Sequence, residues 1–186
     1  METSDNALVQ SCQQGQSDDF GRLYEKYIKK IYNFIYYRTL HQETAEDLTS
    51  TTFIKALENI KRYQAQNGSF SSWLYQIARN NVIDHYRSQK KDINIDEVLN
   101  LGYRINIEKD IDTKERLEKI AEYLGHLDQE QREVILMRVW DGLSYKEIAE
   151  ITQKSQASLK MMFSRAARKL KKENALGLFI LLLLIN

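Results

Sequence analysis

Apolar residues recur every three or four positions along most of this chain, which is the spacing of a helix with one buried face. Alternating apolar and polar runs between glycine turns, which would indicate strands, are hard to find. The chain has no proline and 7 glycines, so long helices can run without breakers. We therefore predict an all-α protein. The widest apolar stripe is expected in residues 17–40, at Phe20, Leu23, Tyr24, Tyr27, Ile28, Ile31, Ile35 and Tyr36.

The same spacing predicts the other helices and the loops between them. Acidic residues lie near the start of the third predicted helix, where carboxylates suit the helix dipole. A polar loop at residues 63–69 contains an Asn-Gly turn, and Ser69 is expected to cap the helix that follows. The remaining predicted helices span residues 5–14, 41–60, 70–89, 112–124, 129–140, 144–151 and 155–172.

The formal net charge of +1 conceals an uneven distribution along the chain. Residues 1–90 hold 11 basic and 10 acidic side chains, residues 91–124 hold 6 and 9, and residues 125–186 hold 10 and 7. The apolar content also falls after residue 90. This pattern predicts two helical domains joined by a flexible, solvated linker. Their expected limits are residues 1–90 and 112–172, with the linker at 91–111 and a hydrophobic tail at 173–186.

Residues 142–172 predict a helix-turn-helix. Ser144 can accept from the amide of Glu147 while the Glu147 side chain reaches back, which makes a capping box for the first helix. Ser155 can cap the second helix, and residues 154–172 hold seven Lys or Arg and no acid. Such a second helix fits a DNA major groove, so the pattern indicates a nucleic-acid partner. The expected buried faces are Ile148, Ala149 and Ile151, and then Leu159, Phe163, Ala166 and Leu170.

The opposite side of the basic helix is expected to face DNA. Ser155, Gln156 and Ser158 lie at the helix start, where side chains reach base edges. Lys160, Arg165 and Arg168 are placed for phosphates or guanine. The competing interpretation is a solvated charged face, which the absence of any acidic residue disfavours. The full exposed side is predicted as Gln156, Lys160, Met161, Ser164, Arg165 and Arg168.

Three segments, in this order, resemble the bacterial sigma factors of the extracytoplasmic-function (ECF) group in the sigma-70 family. They are residues 45–56 (AEDLTSTTFIKA), residues 70–87 (FSSWLYQIARNNVIDHYR) and residues 127–170. The resemblance implies that the first segment docks on the beta-prime clamp helices of core RNA polymerase. It implies that the second opens the minus-ten promoter element, and that the third binds the minus-thirty-five element and the polymerase flap.

The resemblance also implies roles for individual side chains. A loop before the fourth helix would capture a flipped minus-ten base, with Asn80 at the opened strand. The same helix also offers Asn81, His85 and Tyr86 to DNA, whereas Phe70, Trp73, Leu74, Ile77 and Ala78 are expected in the core. The polymerase-binding set is Glu43, Glu46, Asp47, Thr51 and Phe53. The minus-ten set is Tyr63, Asn67, Ser69, Arg79, Asn80 and Arg87.

Two positions depart from the family pattern. Gln153 replaces the usual glycine of the helix-turn-helix turn, which predicts a strained turn. Met161 and Met162 replace a basic or small residue of the recognition helix, which predicts an unusual promoter sequence.

No enzyme chemistry is evident. His41, His85 and His126 have no metal-ligand spacing with one another or with Cys12, the single cysteine. There is no glycine-rich phosphate loop, and no catalytic centre can be assembled. We expect no cofactor, no metal and no enzymatic activity. The polar start lacks a signal peptide and the lone cysteine fits a reducing interior, so a cytoplasmic location is expected.

An eleven-residue apolar run, residues 175–185, ends the chain. It is shorter than the roughly 20 residues of a spanning helix. Three alternatives stay open for this run: shallow membrane insertion beside Lys169, Lys171 and Lys172, packing on the protein, and packing into a partner. The resemblance further implies an anti-sigma factor, which would hold the chain inactive until an envelope or stress signal. The rival interpretations are a free-standing helix-turn-helix regulator and a membrane-tethered adaptor.

Overall fold

The computed structural model describes residues 4–39, 41–89, 124 and 126–172, and within these ranges the chain is helical and has no strand. The chain divides into two compact units, Met1–Lys90 and Lys91–Asn186. The all-α prediction is confirmed. The predicted linker, most of the predicted helix at 112–124 and the tail lie outside the described residues. None of the described helices is both long enough and apolar enough to cross a bilayer.

In the described part of the first unit there are four α-helices, and their bounds lie within one residue of the predicted ones. Ser4 caps the first helix by accepting from the amide of Ala7. His41 caps the third, since its Nδ1 accepts from the amide of Thr44 at 3.2 Å. The helices are α1 (Asp5–Gln13), α2 (Asp18–Thr39), α3 (Gln42–Asn59) and α4 (Phe70–Gln89), with 3-10 turns at Ile60–Arg62 and Ala65–Asn67.

Helix α2 lies at the centre of this unit, because α1, α3 and α4 all pack against it. The predicted stripe is therefore too narrow on one side. Phe34 was not predicted to be buried, yet it is 0% exposed and meets the ring of Tyr75 at 5.0 Å. Tyr24 was predicted to be buried, but it is 43% exposed at the edge of the α3 contact. The fully buried side chains of the unit include Leu23, Ile31, Phe34, Ile35, Phe70 and Leu74.

Polar contacts tie α1 to the rest of the first unit. Asp5 accepts hydrogen bonds from the hydroxyl of Tyr27 and from Lys26 Nζ. Burial, and next the hydrogen bond to Asp5, raise the pKa of Tyr27 far above its usual value. Gln13 Nε2 donates to the carbonyl oxygens of Ile60 and Tyr63, both at 2.9 Å. Helix α1 thus holds the start of the loop that precedes α4.

The described part of the second unit contains α5 (Gln129–Ile135), α6 (Tyr145–Thr152) and α7 (Gln156–Lys172). The predicted helix at 129–140 ends differently, because Leu136–Trp140 forms a π-helical turn. The amide of Asp141 closes that turn on the carbonyl of Leu136 at 3.0 Å. Gly142 follows at φ 67°, a left-handed conformation that glycine adopts without steric cost.

The core of the second unit forms where α7 packs on α5, and Leu136 of the π-helical turn joins the same cluster. Arg132 is only 4% exposed and donates from Nε and Nη2 to the carbonyl oxygens of Leu124 and Leu127. These bonds hold the chain just before α5 against the core. The core cluster consists of Leu124, Leu127, Ile135, Leu136, Ala166 and Leu170, with Val139, Trp140 and Phe163 packed against it.

Candidate nucleic-acid interface

The ends of α6 are fixed by the residues that the sequence predicted. The amide of Glu147 donates to Ser144 Oγ at 3.2 Å, and the amide of Ser144 donates to Glu147 Oε2 at 2.8 Å. The capping box is confirmed. At the other end Gln153 has φ 59° and ψ 27°, and it is the only non-glycine residue with positive φ among those described. A side chain in this conformation costs about 1–2 kcal/mol, so the predicted strain is confirmed.

Helix α7 begins at the predicted cap. Ser155 Oγ accepts from the amide of Ser158 at 3.2 Å, and the Ser155 carbonyl accepts from the amide of Leu159. The oxygen of Ser155 is therefore used to start the helix, which leaves Gln156 and Ser158 as the better candidates for reading bases. Gln156 is exposed and Ser158 is half-buried.

The outer face of α7 is the one predicted from the sequence. The buried side consists of Leu159, Ala166 and Leu170, with Phe163 half-buried. We call the outer face the α7 face; its members are all exposed, and they are Gln156, Lys160, Met161, Ser164, Arg165 and Arg168.

Positive charge continues from α7 to the start of α6. Two cations lie near the ring of Tyr145, the first residue of α6: the Arg138 guanidinium carbon is 5.4 Å and Lys160 Nζ is 5.9 Å from its centre. Lys154 belongs to the basic run but pairs with Glu130 at 2.6 Å. The cations that remain near α6 and α7 can follow a phosphate backbone while the start of α7 reaches base edges.

The loop before α4 presents fewer side chains than predicted. Ser69 caps α4, because its Oγ accepts from the amide of Ser72 at 3.1 Å. Asn67 is exposed and its Nδ2 donates to Gln64 Oε1 at 3.2 Å. Tyr63, however, is 7% exposed, donates to the carbonyl of Gly68 at 2.9 Å and packs on Trp73. Its buried ring therefore supports the conformation of the loop and is not available to a DNA base.

The residues of α4 that the sequence assigned to DNA differ in their exposure. Asn80 and Arg87 are exposed, two turns apart, and Arg79 is half-buried. The exposed residue between Asn80 and Arg87 is Asp84, which reduces the positive charge of this face. Asn81 is not on it.

The placement of Asn81 and Tyr86 corrects the sequence analysis. Asn81 is 3% exposed; its Oδ1 accepts from Lys55 Nζ at 2.6 Å and its Nδ2 donates to Thr52 Oγ1 at 2.9 Å. The hydroxyl of Tyr86 donates to the carbonyl of Arg38 at 2.9 Å. Both side chains therefore join helices of the first unit. Polar residues beside a DNA-facing position looked like DNA contacts because the sequence does not show what lies opposite them.

The pKa of His85 is lowered, first by burial and second by the charge of His41. No group of three or more His, Cys, Asp or Glu among the residues described here is placed to hold a metal ion.

The outward side of α3 carries acidic and apolar residues together. Glu43, Glu46 and Asp47 are exposed, and Thr51 is half-buried. Phe53 is 4% exposed and packs edge-on against Tyr24 at 4.8 Å, so it supports the helix from inside.

Two apolar residues on the same side of α3 were missed. Ile54 is 57% exposed and Leu57 is 44% exposed. Helical spacing could have found them, because it places both residues on the side of α3 that carries the exposed acidic residues, away from its buried side. We call Glu43, Glu46, Asp47, Ile54 and Leu57 the α3 face.

Comparison with known proteins agrees with this arrangement. The family Sigma-70 region 2 matches residues 23–92, and Sigma-70, region 4 matches residues 117–170. The chain is 36% identical over 167 residues to the ECF RNA polymerase sigma factor BldN of Streptomyces coelicolor, covering 88% of this chain and 63% of that protein. It is 33% identical over 159 residues to the RNA polymerase sigma factor YlaC of Bacillus subtilis, covering 83% of this chain and 91% of that one. The chain thus spans less than two thirds of BldN but nearly all of YlaC.

Two solved structures share the fold. CnrH, in complex with the cytosolic domain of CnrY, is 20% identical with a TM-score of 0.70, over 92% of this chain and 97% of that one. The sigma factor RpoE, in complex with the anti-sigma factor NepR from Bartonella quintana, is 22% identical with a TM-score of 0.63, over 83% and 95%. The two family matches and the similarity to YlaC show that the chain is of the sigma-70 class. This chain belongs to the ECF group of RNA polymerase sigma factors.

Proposed function

We propose that this chain binds the beta and beta-prime subunits of core RNA polymerase and directs the enzyme to a specific set of promoters. The observation that carries the proposal is the α7 face, which is exposed, cationic and free of acidic residues. It lies on the second helix of a helix-turn-helix whose first helix has a capping box. Phosphate contacts from such a face supply most of the affinity, and the helix start supplies the sequence preference.

Run-off transcription with purified core polymerase on a library of genomic fragments tests this function. The full chain should yield transcripts from a small subset of fragments. Arg165→Ala should reduce them, whereas Lys29→Ala, the same loss of charge at an exposed site on α2, should not. A free-standing helix-turn-helix regulator would bind selected fragments without polymerase and would not change the start points. That result would overturn the proposal.

The α3 face is proposed as the surface for the beta-prime clamp helices. Its exposed carboxylates would attract a basic surface of the partner and speed association with it. Added salt would weaken both effects. Ile54 and Leu57 supply exposed apolar area, and its burial against a partner is favourable. Co-purification with core polymerase tests this, with Ile54→Ser expected to weaken capture and Lys61→Ser, an exposed residue just after α3, expected to leave it unchanged.

The loop and α4 are proposed to bind the opened minus-ten element. The proposed contacts are Asn67, Ser69, Arg79, Asn80 and Arg87, while Tyr63 acts indirectly by holding the loop. Permanganate reactivity of unpaired thymines measures the opening. Asn80→Ala should reduce reactivity at the minus-ten element and leave binding at the minus-thirty-five element intact. Equal loss at both elements would contradict this division.

An anti-sigma factor is proposed to hold the chain inactive in the cytoplasm until a stress signal. The support is membership in the ECF group. The test is the amount of polymerase-free chain that purifies with one stoichiometric partner before and after envelope stress.

The tail is a separate question: flotation with anionic liposomes, comparing the full chain with one that ends at Lys172, tests membrane contact.

A further inference from the structure

Met161 is an unusual residue of the α7 face. It is 53% exposed, and the other exposed large hydrophobic side chains in the described residues are Tyr24, Ile54 and Leu57, all in the first unit. Its neighbours Met162 and Phe163 are half-buried, and Phe163 packs on the core of the second unit. Exposing one long apolar side chain to water is unfavourable, so a contact that covers it would lower the free energy.

The position of Met161 places it where bases are read. It is the sixth residue of α7, in the second turn of the helix. On a helix, residues three and four apart lie side by side, so Met161 adjoins Ala157 toward the helix start and Ser164 and Arg165 on the other side. Arg165 and Arg168 carry the charge that draws a phosphate backbone to this face. Nothing acidic on the α7 face opposes that approach.

The major-groove edges of the four bases carry one methyl group, the C5-methyl of thymine, beside a set of hydrogen-bond donors and acceptors. A methionine thioether has no hydrogen bond to give, so polar edges would lose hydration without replacement against it. We infer that Met161 packs on the methyl group of a thymine in the minus-thirty-five element and selects thymine at that position. This inference rests on the proposed function and adds a base preference to it.

Removal of single methyl groups from DNA tests the inference. A promoter from the run-off library is rebuilt with each minus-thirty-five thymine, on either strand, replaced in turn by deoxyuridine, which pairs identically but lacks the methyl. Binding of the full chain assembled with core polymerase is then measured. One substitution should weaken binding about fourfold, the effect of losing one buried methyl-sized group. The same duplex should be nearly insensitive to that substitution with Met161→Ala.

Matched variants separate this from general damage. Met161→Leu should keep most of the sensitivity to deoxyuridine, and Met162→Ala should keep all of it. Lys160→Ala should weaken every duplex alike. The inference is overturned if no thymine is sensitive in the unmodified chain, if Met161→Ala stays equally sensitive, or if Met161→Ala impairs transcription without changing DNA binding, which would indicate a protein contact. Loss of all promoter-specific transcription in the unmodified chain would instead contradict the sigma function itself.

Discussion

The hydrogen bonds of Asn81 predict that Asn81→Ala destabilises the first unit by about 2–3 kcal/mol. Its buried amide links α3 to α4 through Thr52 at 2.9 Å and Lys55 at 2.6 Å. A neutral hydrogen bond contributes about 1 kcal/mol and one to a charged group about 1.5–3 kcal/mol. Lys55 is an exposed residue, so its ammonium can turn to water once the amide is gone, which favours the lower part of the sum. Thr52 keeps its bond to the carbonyl of Leu48.

The two tryptophans allow this change to be measured in one unit. Trp73 lies in the first unit and Trp140 in the second, and the chain has no others. In a Trp140→Phe background, the fluorescence of Trp73 alone follows urea unfolding of the first unit. With a slope of about 1–1.5 kcal/mol per M for a unit of this size, Asn81→Ala should lower the midpoint by about 2 M. Asn80→Ala, at the exposed neighbour, should change stability by less than about 0.5 kcal/mol.

Equal effects of Asn81→Ala and Asn80→Ala would refute the reasoning. A second check uses Lys55→Ala. If the bond between Lys55 and Asn81 contributes, the two substitutions together should cost less than the sum of the single ones by at least about 0.5 kcal/mol. Strict additivity would show that the charged bond contributes nothing and that only the contact with Thr52 matters.

Four further predictions concern the proposed interfaces, the turn of the helix-turn-helix and the buried Tyr27. Asp47→Arg should weaken capture of core polymerase at low salt, and less so at high salt, with unchanged urea stability; undiminished capture at low salt would count against the α3 face. Arg165→Ala should weaken binding to all promoters and lower the salt slope by roughly one, whereas Gln156→Ala should change the preference at one base by ~1–3 kcal/mol; identical behaviour across a promoter library would remove the distinction. Gln153→Gly should stabilise the second unit by about 0.5–1 kcal/mol in urea unfolding, because the relieved strain exceeds the exposed bond from Gln153 Nε2 to the Glu150 carbonyl; unchanged or lower stability would contradict the strain. The pKa of Tyr27 is raised, so the folded state favours its neutral, protonated hydroxyl. Its contribution to stability is therefore complete below pH ~10 and is lost as the pH rises further. Tyr27→Phe should flatten the decline in stability above pH ~10.

Features set by local sequence were predictable. The capping box of Ser144 and Glu147, the caps at Ser69 and Ser155 and the bounds of α1 to α4 depend on residues within one turn of each other. The two sides of α7 follow from helical spacing alone, and all six residues predicted to be exposed there are exposed.

Features set by distant partners were not predictable. Tyr63 reads as a loop residue among polar neighbours, but Trp73 and Phe70 cover its ring. Asn81 reads as a DNA contact, but residues of another helix complete its hydrogen bonds. Phe34 is buried because three helices surround α2, and no single apolar stripe encodes that. The π-helical turn at Leu136–Trp140 also lacks a local signal, since neither Gly nor Pro interrupts it.

The two hydrogen bonds from Gln13 have a practical consequence for dividing this protein into parts. A fragment cut at the family match would begin at residue 23 and so discard α1. Such a fragment would keep every residue proposed to touch the beta-prime clamp helices or the minus-ten strand. It would also leave the carbonyl groups of Ile60 and Tyr63 without the amide that fixes them. Hybrid sigma factors that exchange promoter-opening modules should therefore carry their own first helix with the loop, and be joined before Ser4 rather than at the match boundary.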